Sequence, residues 1–255
     1  MKSSIHQTFA ELVGFPPANW AAAPSKALQA HGTTVLALRF DEGVVVLGDR
    51  RATAGNLVMY DQAEKIMAID DFTLLALSGS FAKSVESARF LKHSFKYYRR
   101  LTLGQLSLDG KLQEISRVMA SNFELAMQGI GVFLPIVAAY DPESDSFHLY
   151  FFDGAGARFQ NHAYACAGSG SERIRGVFEY LTRTKGPWDS RPLDDVLSDG
   201  LIMLDIASEL DSATGGFRRV LPTARVLRRE GVGPIPDDRL AAAAQAVLGQ
   251  NAAKS

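Results

Sequence analysis

The sequence predicts an α+β fold in which antiparallel sheets are stacked between layers of helices. Three observations carry that reading. Short apolar runs of strand length open the chain after residue 33, two segments with apolar residues at intervals of three and four follow, and the same order then recurs in the second half. A β, α, β, α order of grouped elements argues for stacked sheets under helix layers rather than a parallel βαβ wind. At 255 residues, with 47% hydrophobic and 22% charged residues, the chain is long enough for one domain with a substantial core.

The first strands are Val35 to Leu38 and Val44 to Leu47, separated by the charged turn Asp41-Glu42-Gly43, which reads as a hairpin. Lys65 to Ile69 and Phe72 to Leu77 flank a second turn at Asp70-Asp71, so the opening third reads as one antiparallel sheet. Phe81, Val85, Ala88, Leu91, Phe95 and Tyr98 form one helical stripe. Leu108, Leu112, Ile115, Met119, Phe123 and Ala126 form another. A second strand set covers Val132 to Tyr140, Phe147 to Phe152 and Arg158 to Cys166, with Asp, Pro and Gly in the turns. Helices return with Ile174, Val177, Phe178 and Leu181, then with Leu193, Val196, Leu197, Leu201 and Leu204. A strand at Ala224 to Leu227 precedes an Ala-rich helical tail from Asp237. No internal repeat and no linker divides the chain.

Composition excludes several classes of function. Twenty-seven Lys and Arg against 28 Asp and Glu leave a formal charge of −1, so no global field favours nucleic acid or an anionic membrane. Cys166 is the only cysteine, which excludes an internal disulfide framework and fits a reducing cytoplasm; its apolar setting makes it a core residue. The five histidines, His6, His31, His93, His148 and His162, never fall at metal-ligand spacing with a second His or a Cys, and the reading calls for no metal and no cofactor. Residues 1–32 hold two lysines, and the uncharged run Leu12 to Ser25 is broken by Pro16, Pro17 and Pro24. That is a poor signal-peptide core and too short a membrane span, so a removable leader is the better reading.

The chemistry lies in Gly32-Thr33-Thr34, followed sixteen residues after Thr33 by Asp49 and after sixteen more by Lys65. A threonine hydroxyl is a weak nucleophile until a base takes its proton. A threonine exposed as a new first residue carries such a base, its own α-amine, with an ordinary pKa of about 7.7 to 8.0. Taken singly, each residue has a plainer explanation: Thr34 is a good strand former, Asp49 caps a turn, and Lys65 is a solvated edge charge. Gly79 by itself is an ordinary turn glycine.

Taken together, Gly32-Thr33-Thr34, Gly48-Asp49-Arg50-Arg51-Ala52-Thr53-Ala54-Gly55-Asn56, Glu64-Lys65-Ile66, Ser78-Gly79-Ser80, Gly168-Ser169-Gly170-Ser171 and Asp211-Ser212-Ala213-Thr214-Gly215-Gly216 resemble the β-type subunit of the bacterial 20S proteasome. That family is an N-terminal-nucleophile hydrolase, and the resemblance runs over residues 33 to 230. It implies a four-layer αββα sandwich and a threonine endopeptidase made as a precursor: 1–32 as a propeptide removed by autoprocessing between Gly32 and Thr33, and 33–255 as the catalytic domain. It implies Thr33 as nucleophile, Lys65 pressed near its hydroxyl, Asp49 holding that ammonium, and Ser169, Asp211 and Thr214 around the new amine. Thr214 stands where the family often has serine. Gly79 would supply an oxyanion-binding N–H, and Thr53 would pair with the substrate backbone as an added strand. Ala52, Ala63, Met67, Leu77 and Phe81 match the first specificity pocket. All are apolar, which points to apolar residues before the cut.

The resemblance further implies a cytoplasmic particle: homo-heptameric β rings stacked in pairs between rings of α-type subunits, with an ATP-dependent unfoldase ring delivering unfolded protein substrates. No nucleic-acid or membrane partner is expected. Two alternatives stand beside this reading. A simpler two-ring, ATPase-activated relative usually reads Gly-Asp-Gly-Gln-Ala-Thr where this chain has Arg50-Arg51, and lacks a long leader. A noncatalytic ring scaffold has no need for an ion pair beside the threonine. Arg50-Arg51 and Arg228-Arg229 are read as solvated or as intersubunit salt bridges. Gly168-Ser169-Gly170-Ser171 lacks the lysine of a phosphate loop.

Overall fold

The computed structural model describes residues 32–55, 57–128 and 131–252. Strands β1 (Thr34–Phe40), β2 (Gly43–Gly48), β10 (Tyr164–Gly168), β11 (Thr223–Arg228) and β12 (Gly231–Pro234) form one antiparallel sheet in the order β10-β1-β2-β11-β12. Strands β5 (Ile66–Asp70), β6 (Thr73–Ala76), β7 (Ile136–Asp141), β8 (Ser146–Phe152) and β9 (Arg158–Asn161) form the second, in chain order. A short pair, β3 (Ala52–Ala54) and β4 (Leu57–Tyr60), stands apart.

Period-two alternation distributes the apolar side chains between layers. On β1, Leu36, Leu38 and Phe40 pack with the helices, while Val35 and Ala37 face the other sheet; on β2, Val45 and Leu47 face the helices and Val44 and Val46 the sheet. On the second sheet Ile66, Leu74, Ala76, Ile136 and Ala138 face inward, and Leu75, Val137 and Ala139 face outward. Both faces of each sheet are therefore buried, which is why these strands read as unbroken apolar runs. Each fully buried Leu or Ile contributes about 1.5–3 kcal/mol relative to exposure.

Helices α1 (Phe81–Thr102) and α2 (Leu108–Ser121) cover the second sheet with Ala88, Leu91, Phe95, Leu112, Ile115 and Met119. Helices α4 (Ser171–Lys185), α5 (Leu193–Leu210) and α6 (Asp237–Ala252) cover the first, contributing among others Phe178, Leu197, Leu201, Leu240, Ala244 and Val247. The layers run helix, sheet, sheet, helix, as expected of the αββα sandwich.

Three expectations change. The opening third builds two of the five strands of each sheet rather than one sheet, because the chain crosses from β2 to β5. The run from Arg158 to Cys166 divides at His162-Ala163, so that β9 pairs with β8 in one sheet and β10 with β1 in the other. The helical stripe from Leu108 breaks at Asn122 (φ −102°, ψ 2°); a separate turn, α3 (Phe123–Met127), leaves Phe123 exposed, outside the core.

The topology converges on one end of the first sheet. Val35 opposite Gly48 brings the end of β2 beside the start of β1, and Thr34 opposite Gly168 brings the end of β10 to its other side. Lys65, just ahead of β5, comes from the facing sheet. The turn at 211–215 arrives from the end of α5.

Candidate active site

Asp49 follows the last residue of β2, and its backbone N–H donates to the Thr34 carbonyl at 3.0 Å. Its buried carboxylate then collects four donors. Oδ1 accepts from the Thr34 N–H at 2.7 Å and from Lys65 Nζ at 2.7 Å; Oδ2 accepts from the Arg51 N–H at 2.9 Å and the Gly215 N–H at 2.8 Å. A carboxylate saturated in this way is fixed in orientation.

Both side chains of the Lys65–Asp49 pair are fully buried. Lys65 Nζ also donates to the Gly32 carbonyl at 2.9 Å and to the Arg51 carbonyl at 2.5 Å. Three donors thus meet three acceptors. Burial lowers the Lys65 pKa from its ordinary value, with Asp49 opposing the shift and Arg51 adding to it.

Thr33 is 5% exposed and remains joined to Gly32; its Oγ1 donates to the Gly32 carbonyl at 2.7 Å. Lys65 and the Thr33 hydroxyl therefore meet at the Gly32 carbonyl oxygen in the intact chain. Gly32 adopts φ +105°, and a Cβ there would stand 2.6 Å from Thr53 Oγ1 and 2.8 Å from the Ala213 carbonyl, so the position accepts only glycine without strain.

Across β1, Ser169 Oγ donates to Asp211 Oδ2 at 2.6 Å and lies 3.4 Å from the Thr33 carbonyl. Thr214 Oγ1 donates to the same Asp211 oxygen at 2.6 Å. Burial raises the Asp211 pKa, but the bonds from Ser169, Thr214 and the Ala213 N–H outweigh it and leave the carboxyl below its ordinary range.

Ser78, Gly79, Ser169, Thr33 and Gly32 line one cavity of about 410 Å³ beside Thr33. Gly79 has φ +101°, and a Cβ would meet the Val132 carbonyl at 2.2 Å. The glycine is required there by its own chain, whatever approaches it. Ala52, Thr53, Ala63 and Leu77 are buried and Met67 and Phe81 are half-buried. None of these six lines that cavity. Ala63 is fixed by its N–H to the Arg50 carbonyl, and Leu77 by its N–H to the Lys65 carbonyl.

Sequence reasoning missed two contributors. Arg51 donates through Nε to Asp61 at 3.0 Å and through Nη1 to the Ser212 and Thr214 carbonyls at 3.4 Å, tying the 211–215 turn to β2. Arg50 donates to the Gln62 carbonyl at 3.2 Å, Arg229 pairs with Asp145 and Arg228 with Glu42, so all four basic-patch arginines are engaged within the chain. Thr34, read as a strand former, is the second. Its position directly after the nucleophile candidate was the only signal. Among the described residues no group of three or more His, Cys, Asp or Glu could hold a metal ion, and no helix is long and apolar enough to cross a membrane. Residues 1–31 of the proposed leader, His6 and His31 among them, lie outside the described residues.

Comparison with known proteins places the chain in a family. A family model described as proteasome subunit matches residues 29–186. The proteasome subunit beta of Acidimicrobium ferrooxidans is 36% identical over 216 residues, covering 82% of this chain and 76% of that protein. The corresponding protein of Streptomyces griseus is 31% identical over 226 residues, covering 86% and 76%. Proteasome subunit beta 2 of Thermomonospora curvata is 32% identical over 222 residues, covering 86% and 77%. The family model and these relatives show that the chain, with its helix-sheet-sheet-helix layers, belongs to the proteasome subunit family.

Proposed function

We propose that Thr33 is the nucleophile of this proteasome-type threonine peptidase, freed when its hydroxyl attacks the Gly32 carbonyl, the Gly32–Thr33 C–N bond breaks to leave residues 1–32 as an ester on Oγ1 and a free α-amine, and water hydrolyses that ester. The convergence of Thr33 Oγ1 and Lys65 Nζ on the Gly32 oxygen carries the reading. The hydroxyl must turn from the oxygen to the carbon, while the ammonium holds the charge that develops on the oxygen. Before the cut no free amine exists, so water or a neighbouring group takes the first proton. After it, the Thr33 amine is the base, Lys65 on Asp49 favours the alkoxide, and Ser169, Asp211 and Thr214 orient the amine.

In substrate hydrolysis the Gly79 N–H receives the oxyanion, worth about 3 to 4 kcal/mol for a well-placed donor. Thr53 pairs with the substrate backbone, and Ala52, Ala63, Met67, Leu77 and Phe81 favour apolar residues before the cut. The subunit works in paired homo-heptameric rings between α-type rings in the cytoplasm, fed with unfolded protein by an ATP-dependent unfoldase. No metal or cofactor takes part. The retained Lys65–Asp49 pair favours this over a noncatalytic scaffold.

Intact mass after co-expression with an α-type partner tests the reading. Native chain is expected to begin at Thr33 and hydrolyse a short peptide with an apolar residue before the cut. Thr33→Ala is expected to keep its leader and hydrolyse nothing. A Thr33→Ala chain that still begins at position 33 overturns self-processing.

A further inference from the structure

Thr34 is completely buried, and all three of its polar groups are engaged with the residues around the nucleophile. Its N–H donates to Asp49 Oδ1 at 2.7 Å, and its carbonyl accepts the Asp49 N–H at 3.0 Å. Its hydroxyl lies 2.7 Å from Thr214 Oγ1. Since Thr214 gives its own proton to Asp211, Thr34 is the donor in that contact. One residue therefore joins Asp49, at the end of β2, to Asp211, at the end of α5. Space for the two hydroxyls is kept by Gly170: a Cβ there would lie 2.3 Å from Thr34 Oγ1 and 2.7 Å from Thr214 Oγ1.

Strand propensity accounts for none of this, because valine would serve a buried β position at least as well without the hydroxyl. A buried hydroxyl in a chain of three oxygens ending on a carboxylate is held to one rotamer. Holding the residue after Thr33 from both sides restrains Thr33 itself, one peptide unit away.

We propose that Thr34 is a positioning residue that locks the Lys65–Asp49 pair and the Ser169–Asp211–Thr214 cluster into one register about the nucleophile. The proposal rests on Thr33 being that nucleophile. Its contribution is to orientation and not to chemistry: loss of the link displaces the reacting group by about 1 Å and costs on the order of 100-fold in turnover.

The test uses the assembled particle and a short fluorogenic peptide. Thr34→Val, nearly the same volume, is expected to lower kcat by on the order of 100-fold with KM within about two-fold, and Thr34→Ser to restore most of it. Thr34→Val combined with Thr214→Val is expected to be little worse than either alone, as for two links of one chain. A second readout needs no turnover: hydrogen exchange at the Thr34 amide, followed by mass spectrometry, is expected to quicken about ten-fold in Thr214→Val. If Thr34→Val does not assemble, Thr214→Val with the exchange measurement decides. Turnover within two-fold of native in Thr34→Val, a loss that serine does not restore, or unchanged exchange in Thr214→Val overturns the proposal. Quickened exchange in Thr214→Val, together with a native particle that cuts no peptide, supports it and strikes instead at Thr33 as nucleophile.

Discussion

Lys65 Nζ lies 2.9 Å from the carbonyl oxygen of Gly32, the oxygen that also accepts the Thr33 hydroxyl at 2.7 Å. The ammonium thus polarises the carbonyl of the Gly32–Thr33 peptide bond. Lys65→Ala is expected to abolish leader removal and peptide hydrolysis together. The change also strands Asp49 fully buried, at a cost of about 3–5 kcal/mol, so a lowered Tm is expected, more than a surface lysine predicts. Lys65→Arg is expected to fail in processing as well, because a planar fork cannot point three donors at Asp49, Gly32 and Arg51 from one atom. Intact mass and peptide turnover check both variants; normal processing in Lys65→Arg refutes the placed ammonium.

Gly32 separates processing from turnover. A side chain there meets Thr53 Oγ1 and the Ala213 carbonyl at a positive φ. Gly32→Ala is expected to slow leader removal at least about ten-fold, since misplacing a reacting group is costly. A chain whose first residue is made to be Thr33 by other means lacks residue 32 and is expected to hydrolyse peptide at the native rate. Time courses of intact mass compare the two; equal processing rates in native and Gly32→Ala chains count against the reading.

Arg51 tests the turn at 211–215. Its ion pair with Asp61 is partly exposed and stabilises by about 0–1 kcal/mol, so Arg51→Ala is expected to shift Tm little. The same guanidinium holds the Ser212 and Thr214 carbonyls. Turnover is therefore expected to fall about ten-fold with KM nearly unchanged, without rescue by Arg51→Lys, whose single ammonium cannot span Asp61 and both carbonyls. Steady-state kinetics of both variants decide this.

Asp211 sets an acid limit. Its folded pKa lies below the unfolded value, so its contribution to stability is fully present above the ordinary carboxylate range and is lost as pH falls through the lower folded value. Hydrogen exchange in 211–215 is expected to quicken only at acid pH. Ser169→Ala removes one of the bonds that lower this pKa, and the onset is expected to move to higher pH. An onset unmoved in Ser169→Ala contradicts the assigned cause.

The mature amine, not histidine, is expected to govern the neutral pH limb of peptide hydrolysis, titrating below about 7.7 to 8.0 because Lys65 is near. Replacing all five histidines by Gln or Asn is expected to preserve the limb, and acetylating the Thr33 amine to abolish turnover without dissociating the rings. The pH–rate profile of the histidine-free chain checks the first arm.

Much of this protein could be read from the chain alone. The unbroken apolar runs of β1 and β2 and the three-and-four spacing on α1 and α5 are local consequences of which side chains must leave water, and they mark the elements without knowledge of their neighbours. The fixed spacing of Thr33, Asp49 and Lys65 was equally legible, because two hairpin-length segments separate them. What the tertiary structure decided is pairing. Nothing local to Arg158–Cys166 says that its two halves belong to different sheets, since each half is simply extended and apolar in part. Nothing local to Thr34 distinguishes a strand former from a residue whose hydroxyl meets Thr214, 180 positions away. Arg51, too, looks like a surface charge until the turn after α5 is folded against it. Such contacts depend on backbone crossings between distant segments, and a hydroxyl or guanidinium shows its role only once its partner's position is known.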